Sequence, residues 1–201
     1  MVNLIPRFYD ASAGRVCFFG QDVRKYRRKE LRNQIGIVSQ KAVLFAGTVR
    51  ENMQWGKKDA TDEEIWEALK TAQAEEFIRA KEGGLDANIE QGGRNLSGGQ
   101  RQRLTIARAL IKKPRVLILD DSASALDYAT DAALRKAIRQ MEGAPTVFIV
   151  SQRTSSLMSA DRILVLDDGE ATGYGTHEEL LKNCQTYREI YNSQYGKKEE
   201  A

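Results

Sequence analysis

The chain has 201 residues, 41% hydrophobic and 29% charged, with a formal net charge of +3. That is ordinary globular composition with room for one core, and it lacks the basic excess and aromatic interleaving of a nucleic-acid binder. Cys17 and Cys184 are too few and too scattered for a disulfide framework or a zinc site, so reduced thiols and a cytoplasmic location are expected, while apolar runs at 116–119, 147–150 and 163–166 fall far short of the roughly 18 residues of a membrane span.

No signal-peptide pattern marks the first residues, so secretion is not expected. Residues 15–20 read as a short strand closed by Gly20 after a turn at Ala13-Gly14, in an antiparallel β portion. Residues 26–33 form a basic helical link whose Arg27-Arg28-Lys29 run is a solvated face, and 35–39 return as a strand ahead of Gln40. In 61–73 the spacing of Ile65, Ala68, Leu69 and Ala72 is helical, with Thr61 and Glu64 forming a capping box; a second helix covers 75–80. Strands at 115–119, 146–150 and 162–166 alternate with a helix at 129–141, the rhythm of a parallel sheet. Asp167-Asp168-Gly169 closes a hairpin into 171–174, and helices at 176–181 and 186–193 lead to a charged tail. The lone histidine, His177, sits inside a Thr176–Glu179 capping box and reads as structural, with no partner in view. The fold class is therefore α/β, with a helical segment at about 54–113 inserted into a core formed by 1–53 and 114–201.

The chemistry concentrates in Leu96-Ser97-Gly98-Gly99-Gln100-Arg101-Gln102-Arg103 and in Val116-Leu117-Ile118-Leu119-Asp120-Asp121. Ser97 is a good N-cap, the two glycines admit close backbone approach, and Leu104, Ala107, Arg108 and Ile111 continue with helical spacing. A helix that starts there presents free N–H groups and its positive dipole end, which suits a phosphate. Asp120 ends the apolar strand, at the sheet edge where ligands of open α/β sheets bind, placed to hold Mg²⁺ directly or through water.

On these residues the chain resembles the nucleotide-binding domain of an exporter-type ABC transporter. Leu96 to Gln100 resemble the family signature, Val116 to Asp121 its Walker B strand, Ser124-Ala125-Leu126-Asp127 its D-loop and Ile37-Val38-Ser39-Gln40 its Q-loop. The resemblance implies a P-loop NTPase-like fold, ATP and Mg²⁺ as ligands, Asp120 and Gln40 on the metal, and Asp121 beside the attacking water. It also implies that the signature contacts a nucleotide held by a second nucleotide-binding domain. Leu44 to Asn52 resemble the surface that receives the coupling helix of a transmembrane domain, at the cytoplasmic face of the membrane, with plain core packing as the alternative for Phe45 and Val49.

Three departures shape the expected activity. No G-x-x-x-x-G-K-[ST] phosphate cradle occurs; Gly56-Lys57 and Gly196-Lys197 lack both the earlier glycine and the following Ser or Thr. Met1 to Asp10 resemble the end of the helix that follows that loop, so the chain is expected to begin just after it and to lack the first strand of the sheet. Asp121 stands where active members carry Glu, one methylene or about 1.5 Å short, and Gln152 stands in the switch segment where the family has His. The expectation is a half-site that is degenerate and incomplete, an intact signature donated in trans to a different partner, and little or no ATP hydrolysis by this chain alone. The alternatives are a non-enzymatic, truncated interaction module and a non-transport ABC ATPase; the absence of heptads and basic arms weighs against the latter.

Overall fold

In the computed structural model residues 1–122 and 124–196 are described. They fall into two compact units, Met1–Val150 and Ser151–Ala201.

In the first unit β1 (Cys17–Phe18) and β2 (Gln21–Asp22) form an antiparallel hairpin. The basic link is only partly helical: α1 covers Arg28–Asn33, because Tyr26 is extended and its hydroxyl donates to Phe18 O at 2.9 Å. β3 (Ile35–Val38) then runs parallel to β6 (Val116–Asp120), which runs parallel to β7 (Thr146–Val150), giving the order β3-β6-β7. β6 is buried along Val116–Leu119, which is why it reads as a continuous apolar run. Its alternation divides two cores: Val116 and Ile118 pack with Phe18, Val23, Leu31 and Ile35, while Leu117 and Leu119 join the larger cluster on the other face. Gly36 of β3 admits that close packing, since a Cβ there would lie 2.9 Å from Leu117 Cδ1 and 3.0 Å from Ala109 O.

Between β3 and β6 lies a mainly helical segment. β4 (Gly47–Thr48) pairs antiparallel with β5 (Asn88–Ile89), and around them stand α2 (Val49–Gln54), α3 (Asp62–Thr71), α4 (Glu75–Arg79) and α5 (Gly98–Leu110). The capping box read at Thr61 and Glu64 is present, and Ile65, Ala68 and Leu69 form the buried face of α3. α5 buries Leu104, Ile106, Ala107 and Leu110 in the larger core. After β6, α6 (Tyr128–Arg139) buries Leu134 and Ile138, and Arg135 Nη2 reaches Asp131 Oδ2 at 2.6 Å one turn away.

In the second unit β8 (Ile163–Asp167) pairs antiparallel with β9 (Glu170–Gly175), followed by α7 (His177–Asn183) and α8 (Gln185–Tyr195). This corrects the expectation that 162–166 is a third parallel strand in the rhythm of β6 and β7. The chain reverses at Asp168 and Gly169, both at positive φ, in the mirror-image turn whose twist suits a hairpin. Ile163, Val165, Leu180, Cys184 and Tyr187 make the core of this unit.

Candidate functional site

The site begins with strand register. Val38 lies opposite Leu119 in the parallel pair, so the two chains leave the sheet side by side, Ser39 and Gln40 next to Asp120 and Asp121. Gln40 Nε2 donates to Asp121 Oδ2 at 3.1 Å. The contact joins the two residues to which the sequence assigned water and metal roles, and it engages Gln40 with the second carboxylate of the pair. Asp121 N–H donates to Val150 O at 2.8 Å, continuing the β6–β7 ladder by one residue. The backbone then turns through φ +46 at Asp121, a left-handed conformation that Asp tolerates better than most side chains. Asp120 and Asp121 are both half-buried.

Leu96 is buried and anchors the start of α5. Ser97 is the N-cap: its Oγ accepts from Gln100 N at 3.2 Å and Gln100 Oε1 accepts from Ser97 N at 3.0 Å. This capping box uses the donors of Ser97 and Gln100 and leaves the first-turn N–H groups of Gly98 and Gly99 outside it. The two glycines differ in kind. A Cβ at Gly98 would meet nothing within 4 Å, whereas one at Gly99 would lie 3.2 Å from Ala125 O. Arg101 Nη1 donates to Gly93 O and Leu96 O at 3.2 and 3.0 Å, holding the approach to the helix.

Beyond β6, Ser124 Oγ donates to Asp121 O at 2.8 Å and Leu126 is buried. Asp127 caps α6, accepting from Thr130 N at 2.9 Å and Thr130 Oγ1 at 2.7 Å. Those bonds hold its carboxyl below the usual Asp range. Ser124, Ala125, Leu126 and Asp127 thus form a loop tied to Asp121 at one end and to a helix at the other, against the signature turn at Gly99.

Asp120 ends β6, where a metal ligand was expected. Among the described residues no three His, Cys, Asp or Glu side chains converge. Asp120 and the adjacent Asp121, the latter bonded to Gln40, offer the one or two carboxylates with which Mg²⁺ is held together with substrate phosphates and water.

Gln152 belongs to the second unit. It is exposed, and its backbone carbonyl accepts from Gln194 Nε2 at 2.7 Å; the same side chain accepts from Thr154 N and Oγ1 at 2.9 Å. Gln194 carried no sequence signal, because its partners lie about forty residues away. His177 has a partner after all: Nδ1 lies 2.8 Å from the Tyr187 hydroxyl, a structural bond between α7 and α8.

The segment 44–52 divides between core and surface. Leu44 and Val49 are fully buried, so Val49 is a core residue rather than part of a docking surface. Phe45 is 38% exposed and its ring lies 4.7 Å from that of Trp55 at a tilt of 33°, Trp55 itself being 69% exposed. Asn52, 1% exposed, holds the backbone of Phe45 from both sides, Oδ1 accepting from N at 2.9 Å and Nδ2 donating to O at 2.9 Å. Trp55 lay just past the segment the sequence singled out.

The ABC transporter family model matches residues 1–124. An uncharacterized ABC transporter ATP-binding protein of Bacillus subtilis is 47% identical over 197 residues, 98% of this chain and 34% of that protein. A counterpart of Mycobacterium tuberculosis is 46% identical over 197 residues, 96% of this chain and 34% of its own. A second Bacillus subtilis protein, with the provisional name of a multidrug export ATP-binding/permease protein, is 43% identical over 194 residues, 96% and 33% of the two chains. A solved bacterial Atm1-family ABC exporter with ATP bound matches at a TM-score of 0.91 and 36% identity, over 96% of this chain and 34% of that one. The chain spans about a third of the length of these relatives. By sequence and by fold, this chain belongs to the ABC transporter ATP-binding family.

Proposed function

We propose that this chain is part of the ATP-binding domain of an exporter and that it supplies Leu96-Ser97-Gly98-Gly99-Gln100 to a nucleotide held by a second, different ABC domain. The observation that carries this reading is the proximity of Gly99 to Ala125, whose carbonyl oxygen a Cβ at Gly99 would meet at 3.2 Å: the capped helix start, with N–H groups available to phosphate oxygens, lies beside the 124–127 loop. The match to an ATP-bound exporter supports the same ligand. In this reading the chain works at the cytoplasmic face of a membrane. Among the described residues no helix is long and apolar enough to cross one. The exposed Phe45–Trp55 pair is the surface that meets the coupling helix of a transmembrane domain.

At its own half-site Asp120 and Gln40 would hold Mg²⁺, which neutralises phosphate charge when bound. Asp121 orients water through a carboxylate about 1.5 Å shorter in reach than Glu, while Gln40 occupies one of its oxygens. Misplacement by about 1 Å costs on the order of 10²-fold in rate. Gln152 donates and accepts hydrogen bonds but carries no proton to and fro. Both features favour a heterodimer in which the partner's site turns over. The test is ATP hydrolysis by an ABC nucleotide-binding domain with an intact phosphate loop, measured with and without this chain. Stimulation that is lost on Ser97→Arg is expected; a partner rate indifferent to this chain rules the reading out.

A further inference from the structure

Arg108, near the end of α5, is a cation whose donors are only partly used. Its Nη2 donates to Val43 O at 2.7 Å, while its Nη1 is shut off from water and meets no acceptor among the described residues. Burial pushes its pKa below the usual arginine range, and no carboxylate among the described residues offsets that shift. Arg50 differs, being paired with Asp62 and Asp86, and so does Lys57, paired with Glu64. The Phe45 ring lies over the Arg108 guanidinium, 5.6 Å from its centre to Cζ. Val43, Phe45 and Trp55 are all exposed. Gly56 brings the chain beside Trp55 onto the same turn of α5, where a Cβ would lie 2.2 Å from Arg108 O. An apolar surface thus covers a desolvated guanidinium with one donor unused.

We propose that the segment received at the Val43–Phe45–Trp55 surface is apolar and carries one Asp or Glu side chain, which ion-pairs with Arg108 beneath Phe45. This rests on the reading that Phe45 and Trp55 meet a transmembrane domain. A charged donor buried without an acceptor costs more than a neutral one, so the surface gains when an acceptor arrives. A carboxylate suits the planar donor fork better than a neutral carbonyl does, and it answers the charge as well. Val43 O occupies Nη2, so the incoming oxygen takes Nη1. Access is set by a ring and not by the backbone: Asn52 holds both the N–H and the carbonyl of Phe45, so rotation of the Phe45 side chain alone opens the guanidinium. Trp55 and Val43 then keep water from the pair, as apolar neighbours do at the centre of a protein interface.

Selection from a library of helix-biased random peptides, each about four turns long, against the 201-residue chain tests this. Selected peptides should lose binding on Trp55→Ala and should carry Asp or Glu at one fixed place between apolar residues. Changing that acid to its amide should weaken binding about tenfold to the wild-type chain and by less than about twofold to Arg108→Met. Lys41→Gln is the control for general charge attraction, since it removes an exposed cation two residues from Val43. The tenfold preference should survive that change, and its loss there overturns the proposal. Should Arg108→Met not fold, the side-chain nitrogen resonances of Arg108 in the wild-type chain decide the matter: they must shift with the acidic peptide and not with its amide. Selected peptides that need Trp55 but share no acid, or an acid preference that persists in Arg108→Met, overturn the ion pair and leave the docking surface in place. If no selected peptide depends on Trp55, the docking reading fails and the proposal falls with it.

Discussion

Replacing each signature glycine by alanine separates helix propensity from the geometry of the site. Both residues lie in the first turn of α5 at negative φ, and Ala exceeds Gly by up to about 1 kcal/mol in helix propensity. At Gly98 the new methyl meets nothing within 4 Å, so most of that gain is kept. A stabilisation of about 0.5–1 kcal/mol raises Tm by roughly 1–4 °C in a chain of this size. At Gly99 the methyl lands 3.2 Å from Ala125 O, a few tenths of an ångström inside ordinary van der Waals contact. The D-loop must retreat, and overpacking of this kind costs about 1 kcal/mol or more. The gain is cancelled, and Tm stays level or falls. The functional consequence differs more sharply: a displaced loop should cost Gly99→Ala on the order of 10²-fold in stimulated ATP hydrolysis. Gly98→Ala should cost less, by obstructing the ligand alone. Differential scanning calorimetry and ATPase titration with the partner domain read the two effects. Equal Tm shifts for the two variants would refute the assigned Gly99–Ala125 contact.

Three further outcomes follow from the same contacts. Asn52→Leu removes three hydrogen bonds, to Phe45 N, Phe45 O and Thr48 O. At about 1 kcal/mol each it should destabilise by about 2–3 kcal/mol and change the fluorescence of Trp55 as Phe45 loosens; a chemical-denaturation midpoint equal to wild type counts against the clamp. The Asp127 carboxyl titrates below its usual value when folded. Its stabilising share is therefore complete above the unfolded pKa of about 3.9 and is lost as pH falls through the lowered native value. Asp127→Asn should keep the cap and flatten the acid limb of a Tm-against-pH curve, and an unaltered limb would contradict that assignment. Asp121→Glu extends the carboxylate by about 1.5 Å and should raise hydrolysis at this chain's half-site when an intact phosphate loop is present in cis. A rate no higher than wild type would show that Asp121 is not what limits that half-site.

Local structure was legible because its determinants lie within one helical turn or one strand. The capping boxes at Thr61 and Thr176 each join residues three apart, and both form as read. Ser97 with the glycines after it marked the start of α5, and the apolar run 116–119 marked the buried central strand. The hairpin at Asp168-Gly169 was likewise encoded by two adjacent residues that accept positive φ.

Tertiary structure decided what depends on distant pairing. Which of the apolar residues in 44–52 are core was not encoded by periodicity: Leu44 and Val49 are buried in the larger cluster, while Phe45 turns outward onto Trp55. His177 gained its partner only when α8 folded against α7. Composition, capping and turn chemistry act over a few residues, so the chain alone specified the elements and the motif residues they carry. The Gln40–Asp121 bond spans 81 positions, and the Gly99–Ala125 approach joins two separate elements. Both exist because parallel register and core packing bring those elements together, and neither is written in any single stretch of the sequence.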